Sequence, residues 1–178
     1  MIDHIDYRLL ELLQSNGRAS QMELGKKIGL SQPAVAERIR KLEEQGTITG
    51  YTALVDARRV GKDITAFIGV FTNHPRHNYS FAKRVGELPE VLECYRVAGS
   101  DSYLLKVKTE NTSTLDELIA HIRHFPGVER TQTTIAIASI KETLRVMPAS
   151  NGEASGREAE SQTAGRRAGP KLKTRREQ

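Results

Sequence analysis

The chain has 178 residues and a formal net charge of +5, with a pI near 9.4. Its one cysteine, Cys94, excludes an intrachain disulfide and a cysteine-based metal cluster. No apolar run approaches the roughly 18–20 residues that span a membrane, and the first residues do not read as a secretory signal, so a cytoplasmic protein is expected. The basic excess is local. Lys and Arg balance Asp and Glu at 7 against 7 over residues 1–50 and at 14 against 14 over 51–165, whereas residues 166–178 carry 6 against 1.

A first helix is expected in IDHIDYRLLELLQSNGR. Ile5, Leu9 and Leu12 share one face and Leu10 and Leu13 widen it. Asp3 or Asp6 can cap the start, and Gly17 ends it. SQMELGKKIGLS holds a second, short helix. Ser20 and Glu23 have capping-box spacing, Leu24 and Ile28 form a narrow stripe, and Gly25 leaves room for a close helix crossing. Gly29-Leu30 is the whole connection to a third helix, capped by Ser31 with Pro33 in its first turn. Val35, Ile39 and Leu42 line the apolar face of that helix, and Gly46 stops it.

Two short helices joined so tightly describe a helix-turn-helix, here at about residues 20–44 of a domain covering 1–47. The second helix of such a unit lies in a DNA major groove. The face away from its apolar stripe carries Pro33, Glu37, Arg40, Lys41 and Glu44, with Arg38 on the flank. Arg18 to Lys41 holds six basic and two acidic residues, enough for phosphate contacts.

Residues 48–62 read as a strand, Ile48 to Val55, and a connector. From 63 to 145 the order becomes β-α-β-β-α-β. The strands are Ile64 to Asn73, EVLECYRVAG, SYLLKVKTE and VERTQTTIAIASI. The helices are YSFAKRVGELP and TSTLDELIAHIRHFPG, the latter with Ser113 and Asp116 at cap spacing. This is the split βαβ unit of ferredoxin-like folds, so the fold class is α+β. Both helices cover one sheet face. Phe67, Phe71, Ile135 and Ile137 are read as apolar on the other, which calls for a second layer, most simply another copy of the chain. Residues 147–178 have almost no large apolar side chains and read as a disordered basic tail.

These runs, IDYRLLELLQSNGRAS, ELGKKIGLS, AVAERIRKLEEQGTITGY, VAGSDSYLLKV and PGVERTQTTI, resemble the Lrp/AsnC family, the feast/famine regulators, over residues 2–145. The resemblance implies a winged-type helix-turn-helix followed by a RAM/ACT-like domain. It implies a sequence-specific DNA-binding transcriptional regulator, not an enzyme, associated with the nucleoid. Homodimers are implied that assemble to tetramers or octamers and bind palindromic operators. A small effector, an amino acid, modulates assembly or DNA affinity; no other cofactor is implied.

On the third helix, Ser31, Gln32, Pro33, Ala34 and Glu37 lie near the N-terminus and suit base edges, whereas Arg38, Arg40 and Lys41 suit phosphates, with Arg18, Lys26 and Lys27 adding backbone contacts. The family's effector loop commonly reads Gly-Asp-Tyr-Asp-Tyr before paired leucines. Here Gly99, Ser100, Asp101, Ser102 and Tyr103 precede Leu104-Leu105. The carboxylate has moved from 102 to 101, and neighbouring strand-end residues point oppositely, which leaves the ammonium partner open between Asp101 and Ser102. Thr131, Gln132, Thr133 and Thr134 are candidate lining residues. The loop also reads simply as a hairpin turn using Gly and Asp at positive φ.

A competing reading makes the βαββαβ domain an enzyme or metabolite-binding subunit, with the N-terminal helices mediating protein contacts. No phosphate loop, nucleophile elbow or paired-carboxylate motif supports it. His74/His77 and His121/His124 lack spaced partners for metal ligation, and Cys94 reads as a small core residue.

Overall fold

The computed structural model describes residues 2–74, 76 and 78–147. The expected tail beyond Met147, and His77, lie outside these residues. The described residues divide into two compact units, 2–52 with 143–147, and the described part of 53–142.

The first unit is built on three helices, α1 (His4–Ser15), α2 (Gln21–Ile28) and α3 (Gln32–Glu44). Leu9, Leu24, Val35 and Leu42 form its buried core, with Ile2, Leu12, Leu13, Ile28 and Ile39 packed around them. Each helix start is closed by its own side chains. Asp3 and Asp6 are both used at α1: Asp3 Oδ1 accepts from Asp6 N at 2.9 Å and Asp6 Oδ2 from Asp3 N at 3.1 Å. Ser20 and Glu23 do the same at α2. α1 ends at Ser15 with Asn16 N donating to Leu12 O, one turn-residue before Gly17. Gly25 is needed not for a helix crossing but for the turn: a Cβ there would overlap the Leu30 carbonyl oxygen, and Leu30 N donates back to Gly25 O at 3.0 Å.

Arg38 leaves α3 toward α1. Its Nη1 donates to Asp6 Oδ1 at 2.7 Å and to Asp3 Oδ2 at 2.9 Å. One guanidinium therefore ties the α1 capping box to the middle of α3 and fixes the angle at which α3 is presented. The backbone N–H of Asp6, then Arg38, hold the Asp3 carboxyl below its ordinary value.

Residues 48–55 form no strand. A strand exists through its ladder, and the backbone bond made here runs from Ile48 N to the helix end at Leu42 O. Tyr51, Leu54 and Val55 are left exposed, so the wing strand expected from β-forming composition has no partner within the single chain.

The second unit has a short 3-10 turn at Arg58–Val60, then β1 (Ile64–Thr72), α4 (Asn78–Gly86), β2 (Val91–Arg96), β3 (Tyr103–Thr109), α5 (Thr112–Arg123) and β4 (Val128–Ile135). The sheet order is β2-β3-β1-β4, antiparallel throughout. Ala66, Ile68, Val70, Tyr103, Leu105 and Val107 pack under Phe81 and Val85 of α4 and Leu115, Leu118 and Ile122 of α5. Asn111, not Ser113, caps α5, accepting from Ser113 N and Thr114 N; Ser113 already lies in the first turn. Ile135 pairs with Ala66 and so lies on the helix side, not on the open side expected for it, and Ile137 falls beyond the end of β4. Cys94 is exposed, because β2 is an edge strand whose residues reach the rim rather than the core. The open face carries Phe67, Phe71, Leu104 and Tyr95, with Lys106 bound to Glu93 at 3.2 Å and also to Glu142, which returns from beyond β4.

Replacing Arg38 with Ala should lower stability by about 1–3 kcal/mol, chiefly because Asp6, 9 % exposed, loses its cation. The depressed Asp3 carboxyl stabilises the fold above its unfolded pKa and loses that contribution as pH falls through the lower folded value. The difference between Arg38→Ala and the parent, measured by urea unfolding, should therefore shrink in acid below about pH 3.8.

Candidate DNA interface and effector cleft

The turn between α2 and α3 is made by Gly29 at φ +74°. Ser31 Oγ then accepts from Ala34 N at 3.4 Å, with Pro33 in the first turn. At the other end Gly46 N donates to Glu43 O and Thr47 N to Leu42 O, both at 2.9 Å, a Schellman stop with Gly46 at φ +68°. Between these limits Gln32, Pro33, Glu37, Arg40 and Lys41 are exposed. Ala34 is half-buried beside core residue Val35, and Ser31 is engaged as the cap. Lys26 and Lys27 are exposed in the last turn of α2, and Arg18 is exposed before it. Arg38 alone of the sequence-derived set is turned inward, onto Asp3 and Asp6.

The exposed face is electrically balanced. Arg40 donates to Glu37 at 2.8 and 3.0 Å and also to Glu44. Lys41 Nζ stands 3.5 Å from Glu37. The Arg40 guanidinium holds the Glu37 carboxyl below its usual value, and Glu37 in turn raises Arg40. Arg40 is 53 % exposed, so these pairs are screened by water, add little to stability and can be exchanged for phosphate oxygens. Gln32–Glu44 holds three basic and three acidic residues. Net positive potential near this face therefore comes from Arg18, Lys26 and Lys27.

In the second unit the β2–β3 connection is Val97 to Ser102. Ser102 is built into the sheet: its N–H donates to Val70 O at 2.8 Å, its carbonyl accepts from Val97 N at 3.1 Å, and its Oγ accepts from Thr72 N at 3.1 Å. Tyr103 faces the helices, its ring 4.6 Å from that of Phe81 and its hydroxyl donating to Asn78 O; burial raises its pKa. Asp101 goes the other way. Its carboxylate lies on Gly69 of β1, so close that a Cβ on Gly69 would stand 2.6 Å from Oδ2. Arg130 of β4 donates to Ser100 O at 2.9 Å and to Asp101 Oδ1 at 3.4 Å, with its guanidinium 5.5 Å from the Phe71 ring centre.

No residue of this loop adopts positive φ, and a Cβ on Gly99 would meet nothing within 4 Å. The turn thus does not need glycine for its backbone; Gly99 leaves open space. Of the polar run on β4, Gln132 pairs with Gly69 and Thr134 with Phe67 on the open face, whereas Thr131 and Thr133 pair with Val70 and Ile68 on the helix side. The loop residues Ser100 and Asp101 therefore come together with Gln132, and Ser102, Tyr103 and Thr133 do not join them.

Sequence reasoning missed Gly69 and Arg130. Arg130 shares strand parity with Gln132, a signal available from period two alone; Gly69 is identified only by cross-strand register. Among the described residues no group of three or more His, Cys, Asp or Glu is placed to hold a metal. His121 packs edge-on against Phe125, and His74 Nδ1 accepts from Arg76 N.

Two family models match the chain: an AsnC-type helix-turn-helix domain over residues 2–43 and an Lrp/AsnC ligand binding domain over residues 65–146. An HTH-type transcriptional regulator of Pyrococcus horikoshii is 34 % identical over 145 residues, covering 82 % of this chain and 95 % of that one. The leucine-responsive regulatory protein of Escherichia coli K12 is 35 % identical over 149 residues, covering 82 % and 91 %. Among solved structures, a feast or famine regulatory protein from M. tuberculosis complexed with L-methionine superposes with a TM-score of 0.78 at 34 % identity, covering 83 % of this chain and 100 % of that one. A Neisseria meningitidis transcriptional regulator in complex with L-Met gives 0.79 at 28 % identity, with 82 % and 96 % covered. No helix among the described residues is long and apolar enough to cross a membrane. With both domain models matched in order and relatives above 30 % identity aligned over nearly their whole length, the chain belongs to the Lrp/AsnC family of transcriptional regulators, not to a family of enzymes.

Proposed function

We propose that this regulator binds a palindromic operator through α3 and that an α-amino acid, bound at the Asp101 corner of the sheet, modulates its assembly or DNA affinity. The observation that carries the reading is the exposed, capped face of α3, with Gln32, Pro33 and Glu37 at its N-terminal end. These residues read base edges, with Ser31 and Ala34 shaping the approach. Arg40 and Lys41 exchange their glutamate partners for phosphates, and Arg18, Lys26 and Lys27 add contacts along the backbone. Arg38 acts through the placement of α3 rather than on a phosphate. The amino-acid part draws support from the two L-methionine complexes of similar chains.

Dimers form through the open sheet face and assemble further to tetramers or octamers. Exposed Phe67, Leu104 and Tyr95 supply the apolar surface. Two-fold symmetry then sets operator half-sites one helical turn, or a multiple, apart. The protein works in the cytoplasm on the nucleoid.

Lys41→Ala should weaken binding to all sequences alike and reduce the salt slope by about one, whereas Gln32→Ala should mainly change site preference. Mobility-shift titrations at several salt concentrations on operator and scrambled DNA check this; an unchanged slope for the combined Arg40→Ala and Lys41→Ala variant overturns the assigned face. Phe67→Glu places a charge on the sheet face and should shift the protein toward monomers, read by sedimentation velocity at micromolar concentration. An unchanged oligomer would remove this face from the interface.

A further inference from the structure

The carboxylate of Asp101 occupies a place that exists only because Gly69 has no side chain. Gly69 lies in the middle of β1 with ordinary strand geometry, paired to Leu104 on one side and Gln132 on the other. Its φ is not positive, so backbone freedom does not account for a glycine there. What a Cβ would meet is the carboxylate: Oδ2 at 2.6 Å and Cγ at 2.9 Å. The carboxylate is in turn 24 % exposed and faces one guanidinium, Arg130, which also holds the loop through Ser100 O.

We infer that Gly69 is a positioning residue for effector binding, seating Asp101 beside Arg130 so that the two receive the α-ammonium and the α-carboxylate of one zwitterionic ligand. The inference rests on the amino-acid reading above and assigns the chemistry of its site. Ser102 is the poorer ammonium partner: it is uncharged, and its N–H, carbonyl and hydroxyl tie it to the sheet. Asp101 and Arg130 satisfy one another in the free chain at 3.4 Å. A ligand carrying only a cation or only an anion would take over one member of this pair and release the other toward water, exchanging one ion pair for one. A ligand carrying both exchanges one ion pair for two. The site therefore selects for the simultaneous presence of both charges, and the ligand, in taking over Arg130, loosens its hold on Ser100 and the loop.

An alanine at 69 tests the seat with little risk to the fold. The atoms it would displace are the free end of a side chain, not backbone, so the sheet can keep its register while the carboxylate moves. The full chain is titrated calorimetrically with the twenty amino acids. L-methionine is then compared with L-methioninamide, which lacks the carboxylate, and with 2-hydroxy-4-(methylthio)butanoate, which lacks the ammonium. The parent is expected to bind an amino acid at least tenfold tighter than its one-charge analogues. Gly69→Ala should weaken amino-acid binding at least tenfold while leaving melting temperature and ligand-free DNA affinity unchanged. Asp101→Asn should abolish discrimination against the hydroxy acid, and Arg130→Gln discrimination against the amide. This split separates charge recognition from a merely structural role, and carries the test if Gly69→Ala misfolds. If the parent binds an amino acid and these variants bind it equally well, the inference fails and the amino-acid reading stands. If none of the twenty binds the parent, both fall.

Discussion

A four-stranded sheet with both of its helices on one side has a second side to satisfy, and most of what is specific to the second unit follows from that. The helix side is closed by Phe81, Val85, Leu115, Leu118 and Ile122 over the two central strands, β1 and β3. The other side is a mixture: Phe67, Leu104 and Tyr95 exposed, and a Lys106–Glu93–Glu142 network among them. An apolar surface interrupted by satisfied charges is poor as solvent-facing decoration and good as a register-setting interface. Lys106 and Lys108 are each 17 % exposed, and a charge already that withdrawn from water loses less on further burial than a solvated one.

The first unit meets a different constraint. A recognition helix must display its polar residues at a fixed angle, and the apolar stripe of Val35 and Leu42 alone would permit some rotation about its own axis. Arg38 removes that freedom by fastening the middle of α3 to the capped start of α1. The cost is one cation fewer on the DNA side. Arg40 and Lys41 remain, and their acidic partners keep the helix neutral overall. A helix of this kind contributes little long-range attraction. Under the proposed reading its contacts would form by exchange at short range, which favours discrimination among sequences over indiscriminate attachment to phosphate.

What was legible in the sequence is what local chemistry decides. The Ser20–Glu23 box, the Ser31 cap, the Gly29 turn, the Gly46 stop and the βαββαβ order follow from residues within a few positions of one another. The misreadings involve partners far along the chain. Ile48 to Val55 has strand composition but, among the described residues, no strand to pair with. Ile135 was placed on the wrong side of the sheet; only the cross-strand pairing, which sets it opposite Ala66, fixes its side. Arg38 sits on a polar flank by helical period, and only the fold brings Asp6 to it. Gly69 carries no sequence signal at all, since its neighbour Asp101 lies in the β2–β3 connection, far along the chain.

The displaced aspartate shows how much one position can change. Residues 101 and 102 have different partners. At 102 the serine hydroxyl accepts from the Thr72 N–H and so ties the connection to β1. At 101 the carboxylate lies on the open face, over Gly69 and against Arg130. A carboxylate of normal length needs room there, which a glycine on the adjacent strand supplies, and a counter-charge, which β4 supplies. The three residues make sense only together: aspartate without the glycine collides, and without the arginine it faces an apolar sheet unpaired. The group lies on the open face of the sheet, so under the proposed dimer its occupancy and the approach of a second copy would act on the same surface, by direct contact rather than through a relay across the core.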